Sequence, residues 1–297
     1  MSVSTKIKMR LPGGELFEPY IRTEQLRGTK FEYAHTVYRE AFFFGRRGKQ
    51  DELSAQGIQQ FRNSDCYDFE IIKVPADFPL IDVSGVFLDL IAPYLAGTDV
   101  MSREGTYEAF GVEVHEGDVV IDAGANIGIF SAFAAKYRGG FVHAFEPVDS
   151  TAELLERLMR FNDISSSVVV SRAGLSDYSG EAEIAVFAGG TGGNTLVEAR
   201  MSGGHIEKRE KVRLITIDDY VRENHLERVD FIKADIEGSE RNMLKGATET
   251  LKTFAPQLAI CTYHLPDDKE VLTDIIKKAN PRYSIKYGRM KLYAKVE

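Results

Sequence analysis

The chain is predicted to be an α/β protein: a mostly parallel sheet with helices on both faces and one antiparallel strand. Three observations carry this reading. From Gly111 onward, short apolar runs alternate with stretches of helical periodicity. The first run, Val119, Val120 and Ile121, ends in Asp122 and a glycine turn, Gly124 to Gly128, that opens a helix. The last two runs flank Gly288-Arg289 and read as a hairpin, which supplies the antiparallel strand.

Taken in order, Val119–Ala123 is the first strand, and Ile127, Phe130, Ala134 and Tyr137 follow it at helical spacing. Phe141–Phe145 is the second strand, ending in Glu146-Pro147. Ser150 and Glu153 then stand at capping-box spacing, ahead of an apolar helix face of Leu154, Leu155, Leu158 and Phe161. Val168–Val170 is the third strand. Residues 181–215 read as strand, glycine-rich loop and strand, with Asn194 and Thr195 at the tip of a flap or of a plain surface hairpin. Asp230–Ala234 is the fourth strand, followed by one helix carrying Leu244, Ala247, Leu251 and Phe254. Leu258–Thr262 is the fifth strand, and a helix over 268–279 stops before Pro281. Tyr283–Tyr287 and Lys291–Val296 form the closing hairpin.

Residues 1–105 have a different texture and read as a mainly helical N-terminal cap, with helices over 51–62 and 83–95; residues 106–297 form the α/β domain. The cap holds an aromatic cluster, Phe31, Tyr33, Tyr38, Phe42, Phe43 and Phe44. Such residues are usually core, and a lid or homodimer surface is the functional alternative.

A net charge of −8 argues against general affinity for nucleic acid or anionic membranes. Cys66 and Cys261 lie far apart without metal-ligand spacing, so two free thiols are the default and a disulfide the alternative. Met1–Arg10 has no apolar core for a signal peptide, and Val83–Leu95 is broken by Asp89 and Pro93. The expectation is a cytoplasmic protein without nucleic-acid or membrane partners.

The chemistry gathers at the carboxyl ends of the strands, where open α/β sheets bind ligands. Gly124 allows close backbone approach, and Asp122 and Asn126 add polar groups. Glu146 falls 22 positions after Gly124, where dinucleotide folds place the acid that accepts ribose hydroxyls. A dinucleotide fingerprint would need glycine at 122 and 127, where this chain has Asp122 and Ile127. An anionic side chain repels a pyrophosphate but suits a sulfonium and an ammonium, so S-adenosylmethionine is the expected ligand. Asp235 and Glu237, two apart on an extended chain, point to one side and offer to hold the ligand or to orient and deprotonate an acceptor hydroxyl. Glu237 is as well explained as a helix cap. His264, after the fifth strand, is a candidate base near its ordinary pKa.

The runs Asp-Ala-Gly-Ala-Asn-Ile-Gly-Ile-Phe (122–130), Phe-Glu-Pro (145–147), Thr-Ile-Asp-Asp-Tyr (216–220) and Ile-Lys-Ala-Asp-Ile-Glu-Gly-Ser-Glu (232–240) resemble the FkbM-type methyltransferase family. They stand in the family's order and span about residues 105–264; Ala123 and Ala234 depart from its common valines. The resemblance implies a class I, Rossmann-like methyltransferase fold of seven strands and S-adenosylmethionine as donor. Its usual acceptors are hydroxyls of sugars, polysaccharides or polyketide-type natural products. By position, Asp122, Gly124, Asn126, Gly128 and Glu146 would line the donor pocket, with Asp235 at its edge. The catalytic candidates are Asp235, Glu237 and His264, and no metal is assigned. Two alternatives stay open: a metal-dependent O-methyltransferase with an ion between those three, and a non-catalytic S-adenosylmethionine-binding protein.

Overall fold

The computed structural model describes residues 61–69, 71–79, 83, 90, 104–187, 191–197 and 205–297, together with four two-residue strands between Thr5 and Ile21. Ahead of the α/β region, β1 (Cys66–Asp68) pairs with β2 (Lys73–Pro75). Then come β3 (Val119–Ala123), α1 (Ile129–Ala132), β4 (Phe141–Phe145), α2 (Asp149–Phe161) and β5 (Val168–Ser171). Next are β6 (Gly174–Leu175), β7 (Gly180–Phe187), β8 (Ile206–Ile215), α3 (Ile217–Glu223) and β9 (Phe231–Ala234). The chain closes with α4 (Glu240–Lys245), α5 (Thr248–Thr253), β10 (Gln257–Cys261), α6 (Asp268–Ala279), β11 (Tyr283–Tyr287) and β12 (Lys291–Val296).

The main sheet has seven strands in the order β11-β12-β10-β9-β3-β4-β5. Only β12 runs against the rest. Strand residues alternate between two apolar layers. Val120, Val142 and Phe231 join Phe130, Phe133, Leu155 and Leu158 on one face. Ile121, Ile232 and Leu258 join Leu244, Leu251, Leu272 and Ile276 on the other. A second, three-stranded sheet, β6-β8-β7, lies between β5 and β9 in the chain and is the flap read from residues 181–215.

Several local expectations change. α2 starts at Asp149 with Val148 as its N-cap, so Ser150 sits inside the first turn and forms no capping box. The start is set from outside instead, by the Val148 amide donating to Glu146 Oε1 at 3.0 Å. Phe161 and Tyr137, read on apolar faces, are exposed. Tyr137 turns outward because α1 widens into a π-helical turn over Phe133–Tyr137. The single helix expected over 244–254 is two helices, α4 and α5. Gly246 breaks it, packing so tightly that a Cβ there would meet the Ser176 carbonyl at 2.1 Å. Asp218 starts α5 by accepting the amides of Glu249 and Thr250 at 3.0 and 2.8 Å.

The helices expected over 51–62 and 83–95, and the aromatic cluster Phe31–Phe44, lie almost entirely outside the described residues. The β1–β2 hairpin packs into the sheet's own core through Phe69, Ile72 and Val74. Asn162, at the end of α2, ties it down by accepting from Lys73 N and donating to Lys73 O, at 2.9 and 2.7 Å. Both cysteines are buried free thiols. No helix among the described residues is long and apolar enough to cross a membrane.

Candidate functional site

The turn after β3 is shaped by three left-handed residues, Gly124, Asn126 and Gly128 (φ 71°, 52° and 92°). Gly124 lies so close to β9 that a Cβ would stand 2.1 Å from the Asp235 carbonyl. The amides of Gly124 and Ala125 donate to Phe145 O at 3.1 and 2.9 Å, tying the turn to the end of β4. There Glu146 accepts the Asn126 amide on Oε2 at 3.1 Å and the Val148 amide on Oε1. Burial, only partly offset by these amides and by Lys233, raises the Glu146 carboxyl from 4.5 to about 7. Gly124, Asn126, Glu146, Asp235 and Glu237 all border one cavity of about 290 Å³.

Two expected donor-site residues stand behind that wall rather than on it. Asp122 is wholly buried; it accepts Ser131 Oγ at 2.6 Å and pairs with Lys233 Nζ at 3.0 Å. The cation that Asp122 faces is therefore the protein's own lysine. Burial pulls the Lys233 pKa down, but Asp122 and Asp235 outweigh it and hold the ammonium above its ordinary value. Lys233 Nζ also donates to Gly124 O at 2.7 Å, which carries Asp122's influence to the turn. Gly128 packs against α2, where a Cβ would come within 2.9 Å of Leu155 and Met159.

Also on the cavity wall, Asp235 accepts Tyr107 Oη at 2.7 Å and Tyr263 Oη at 3.3 Å. Burial and the Asp235 charge push both phenols up, so they stay donors. Burial acts to raise Asp235, but Lys233, His264 and Lys291 prevail and hold it below the ordinary carboxylate value. Glu237 reaches the same place from a turn, in the left-handed conformation (φ 55°), not from an extended strand. His264 Nε2 lies 3.5 Å from Asp235 Oδ1 and 3.6 Å from Glu237 Oε2, and its Nδ1 lies 2.8 Å from Glu240 Oε1. Burial lowers the imidazole pKa, but the three carboxylates outweigh it, and the net shift is upward. The imidazole of His264 therefore sits above, rather than near, its ordinary pKa, because three carboxylates face it. One ligand atom from each of Asp235, Glu237 and His264 lies within 4.8 Å of the others, close enough to share a cation.

A family model, the methyltransferase FkbM domain, matches residues 122–283, more than half of the chain. The chain belongs to the FkbM methyltransferase family. Methyltransferase sdnD of Sordaria araneosa is 33% identical over 156 residues, covering 44% of this chain and 60% of its own. The 31-O-demethyl-FK506 methyltransferase of Streptomyces tacrolimicus is 28% identical over 171 residues, covering 48% and 64%. The hexuronic acid methyltransferase AglP of Haloferax volcanii is 27% identical over 168 residues, covering 56% and 64%. The chain thus matches less than two thirds of the length of each of these relatives. Among solved structures, an FkbM methyltransferase of Methylobacillus flagellatus aligns with a TM-score of 0.48 and 21% identity, over 82% of this chain and 59% of that one.

Within this FkbM domain the four sequence runs divide in role. Runs 122–130, 145–147 and 232–240 build the cavity. The run 216–220 supports it from elsewhere: Thr216 caps α3 by accepting the Asp219 amide at 2.9 Å, Asp218 starts α5, and the Tyr220 ring packs edge-on against Phe145. The flap tip closes over both halves of the site. Thr191 Oγ1 donates to Asn126 Oδ1, and Thr195 Oγ1 donates to the Glu237 carbonyl at 2.8 Å. Asn194 borders the cavity while accepting the Phe187 amide. Residues of the site that no motif points to include Tyr107, Lys291, Tyr263 and Thr191, while Lys233 and Glu240 lie within a motif without a role read for them. Lys233 carried a readable signal, as a lone lysine in an otherwise apolar strand beside a buried aspartate. Tyr107 and Lys291 reach the cavity from outside every motif.

The residues present fit the donor that the family implies. A buried carboxylate on the cavity wall, Glu146, suits a ribose diol, and the wall beyond it carries carboxylates for a cationic group.

Proposed function

We propose that the chain transfers a methyl group from S-adenosylmethionine to a hydroxyl of a sugar, polysaccharide or polyketide-type natural product. The observation that carries this reading is one cavity lined by Glu146 together with Asp235 and Glu237. S-adenosylmethionine supplies, when bound, a methyl group activated by a sulfonium. The Glu146 carboxylate, fixed by two backbone amides, accepts the hydroxyls of a ribose. Asp235 is engaged by two tyrosines and held ionised, so it orients a hydroxyl or an ammonium rather than taking a proton. Glu237 is the group that accepts the acceptor's proton, on its carboxylate, and the His264 ring stands 3.5 Å from Asp235 and 3.6 Å from Glu237, where it steadies both side chains. Two of the matched relatives are named for hydroxyl-bearing molecules, a demethylated FK506 and a hexuronic acid, which supports a small-molecule or glycan acceptor.

Calorimetry with S-adenosylhomocysteine, followed by mass spectrometry of a hydroxyl acceptor library, tests the assignment. Binding is expected in the wild type and its loss in Glu146→Ala; undiminished affinity in the variant overturns the donor site. Methylation of amines but of no alcohol overturns oxygen as the acceptor atom. The compact Asp235, Glu237 and His264 set favours one second reading, a divalent cation that binds the acceptor hydroxyl. Turnover that survives exhaustive chelation removes it.

A further inference from the structure

The turn that carries Glu237 is held from two sides. From below, the wholly buried Glu240 carboxylate accepts the Ile236 amide at 2.9 Å, the Gly238 amide at 3.1 Å and His264 Nδ1 at 2.8 Å. From above, buried Thr195 donates its hydroxyl to the Glu237 carbonyl. The peptide between Glu237 and Gly238 is therefore gripped at both its C=O and its N–H. Glu237 is left-handed in φ, and a non-glycine residue stays there only when its surroundings enforce it. Thr195 is itself fixed: its amide donates to Ala185 O at 3.1 Å, its carbonyl accepts the Ala185 amide at 3.0 Å, and its Oγ1 accepts the Val197 amide at 3.0 Å.

We propose that Thr195 is a positioning residue for the acceptor end of the site. Its hydroxyl holds the left-handed turn that brings the Glu237 carboxylate beside His264 and the cavity. Through Thr195 the flap is thereby a structural part of the acceptor site, while its separate contact through Thr191 seats it on the Asn126 turn. This inference rests on the methyl-transfer reading for its kinetic consequence but not for its structural one.

The test uses the full chain with Thr195→Val, which keeps the shape and removes the hydroxyl, and Thr195→Ser, which keeps the hydroxyl. Hydrogen exchange is followed over residues 234–240, S-adenosylhomocysteine affinity by calorimetry, and methyl transfer with glucuronic acid and with 31-O-demethyl-FK506. In Thr195→Val, exchange at Ile236 and Gly238 is expected to quicken about tenfold, as suits one lost buried hydrogen bond. Turnover is expected to fall about tenfold through kcat, while S-adenosylhomocysteine affinity stays within about twofold. Thr195→Ser should match the wild type in all three. Wild-type exchange in Thr195→Val overturns the proposal, as does a Thr195→Ser variant equally impaired, since the methyl group would then be what matters. A parallel loss of S-adenosylhomocysteine affinity overturns it too, because the flap would be acting on the donor end. A wild type that binds S-adenosylhomocysteine but methylates neither probe counts against the methyl-transfer reading, and the exchange result then decides the role of Thr195 alone.

Discussion

The proposed donor site predicts that Glu146 couples binding to pH, and the size of the expected effect follows from its surroundings. Raising its carboxyl from 4.5 to about 7 means that the ionised form is disfavoured by ~3 kcal/mol in the ligand-free cavity. The folded chain holds this proton more tightly than the unfolded chain does. Glu146 therefore contributes stability that is fully present below about pH 4.5 and is lost as pH rises through about 7. Ligand binding runs the other way, because ribose hydroxyls donate to a carboxylate and not to the protonated acid. At pH 6 roughly one molecule in ten carries the ionised side chain, and at pH 8 roughly nine in ten do. S-adenosylhomocysteine affinity should therefore rise about tenfold from pH 6 to pH 8 and flatten above. Glu146→Gln removes this titration and sets one NH₂ group against the Asn126 or Val148 amide. That conflict costs the folded turn ~1–3 kcal/mol, and the variant also lacks the carboxylate that accepts ribose hydroxyls, so its affinity should be lower and flat with pH. Calorimetry at pH 6, 7 and 8 on both proteins reads this directly. Tight binding that is flat with pH in the wild type, or a variant keeping the tenfold rise, refutes the reasoning.

Gly124→Ala should destabilise the fold by at least ~1–2 kcal/mol and abolish S-adenosylhomocysteine binding. The new methyl would overlap the Asp235 carbonyl and force β3 and β9 apart at the site. Thermal denaturation and calorimetry check it, and near-wild-type values in both refute it. Lys233→Met leaves the Asp122 charge buried and unpaired, a loss of ~3–5 kcal/mol that urea denaturation should detect. The double variant Asp122→Asn, Lys233→Met should recover part of that loss; strictly additive costs would show that the two side chains do not act as a pair.

The sheet was readable because burial on both faces leaves near-continuous apolar runs such as Val119–Ile121 and Leu258–Ile260, each closed by a change of texture. The left-handed turn at Gly124 was readable for the same local reason, since it needs a glycine. What escaped reading depends on partners far away in the chain. Whether Asp122 meets a ligand or a lysine is decided by β9, more than a hundred residues later. Ser150 and Glu153 have the spacing of a cap, yet Glu146 sets the start of α2 from the preceding turn. Helical periodicity runs through Gly246, but the Ser176 carbonyl occupies the space a continuous helix would need. Likewise, the carboxylates that raise the His264 pKa come from Asp235, Glu237 and Glu240, on a different loop and helix from its own.

The Asp122–Lys233 pair has one more consequence. Asp122 and Lys233 are direct neighbours across β3 and β9, between Ile121 opposite Ile232 and Ala123 opposite Ala234. Strands this apolar would slide past one another by two residues with little loss of hydrophobic contact. Here such a slip would set Lys233 beside Val120 and Asp122 beside Asp235, or Lys233 beside Gly124 and Asp122 beside Phe231, in either case at ~3–5 kcal/mol for breaking the pair. The ion pair thus acts as an alignment pin. It makes the two turns that follow β3 and β9, carrying Gly124 and Asp235, leave the sheet at the same height, so the spacing of the cavity walls they form is set by strand register.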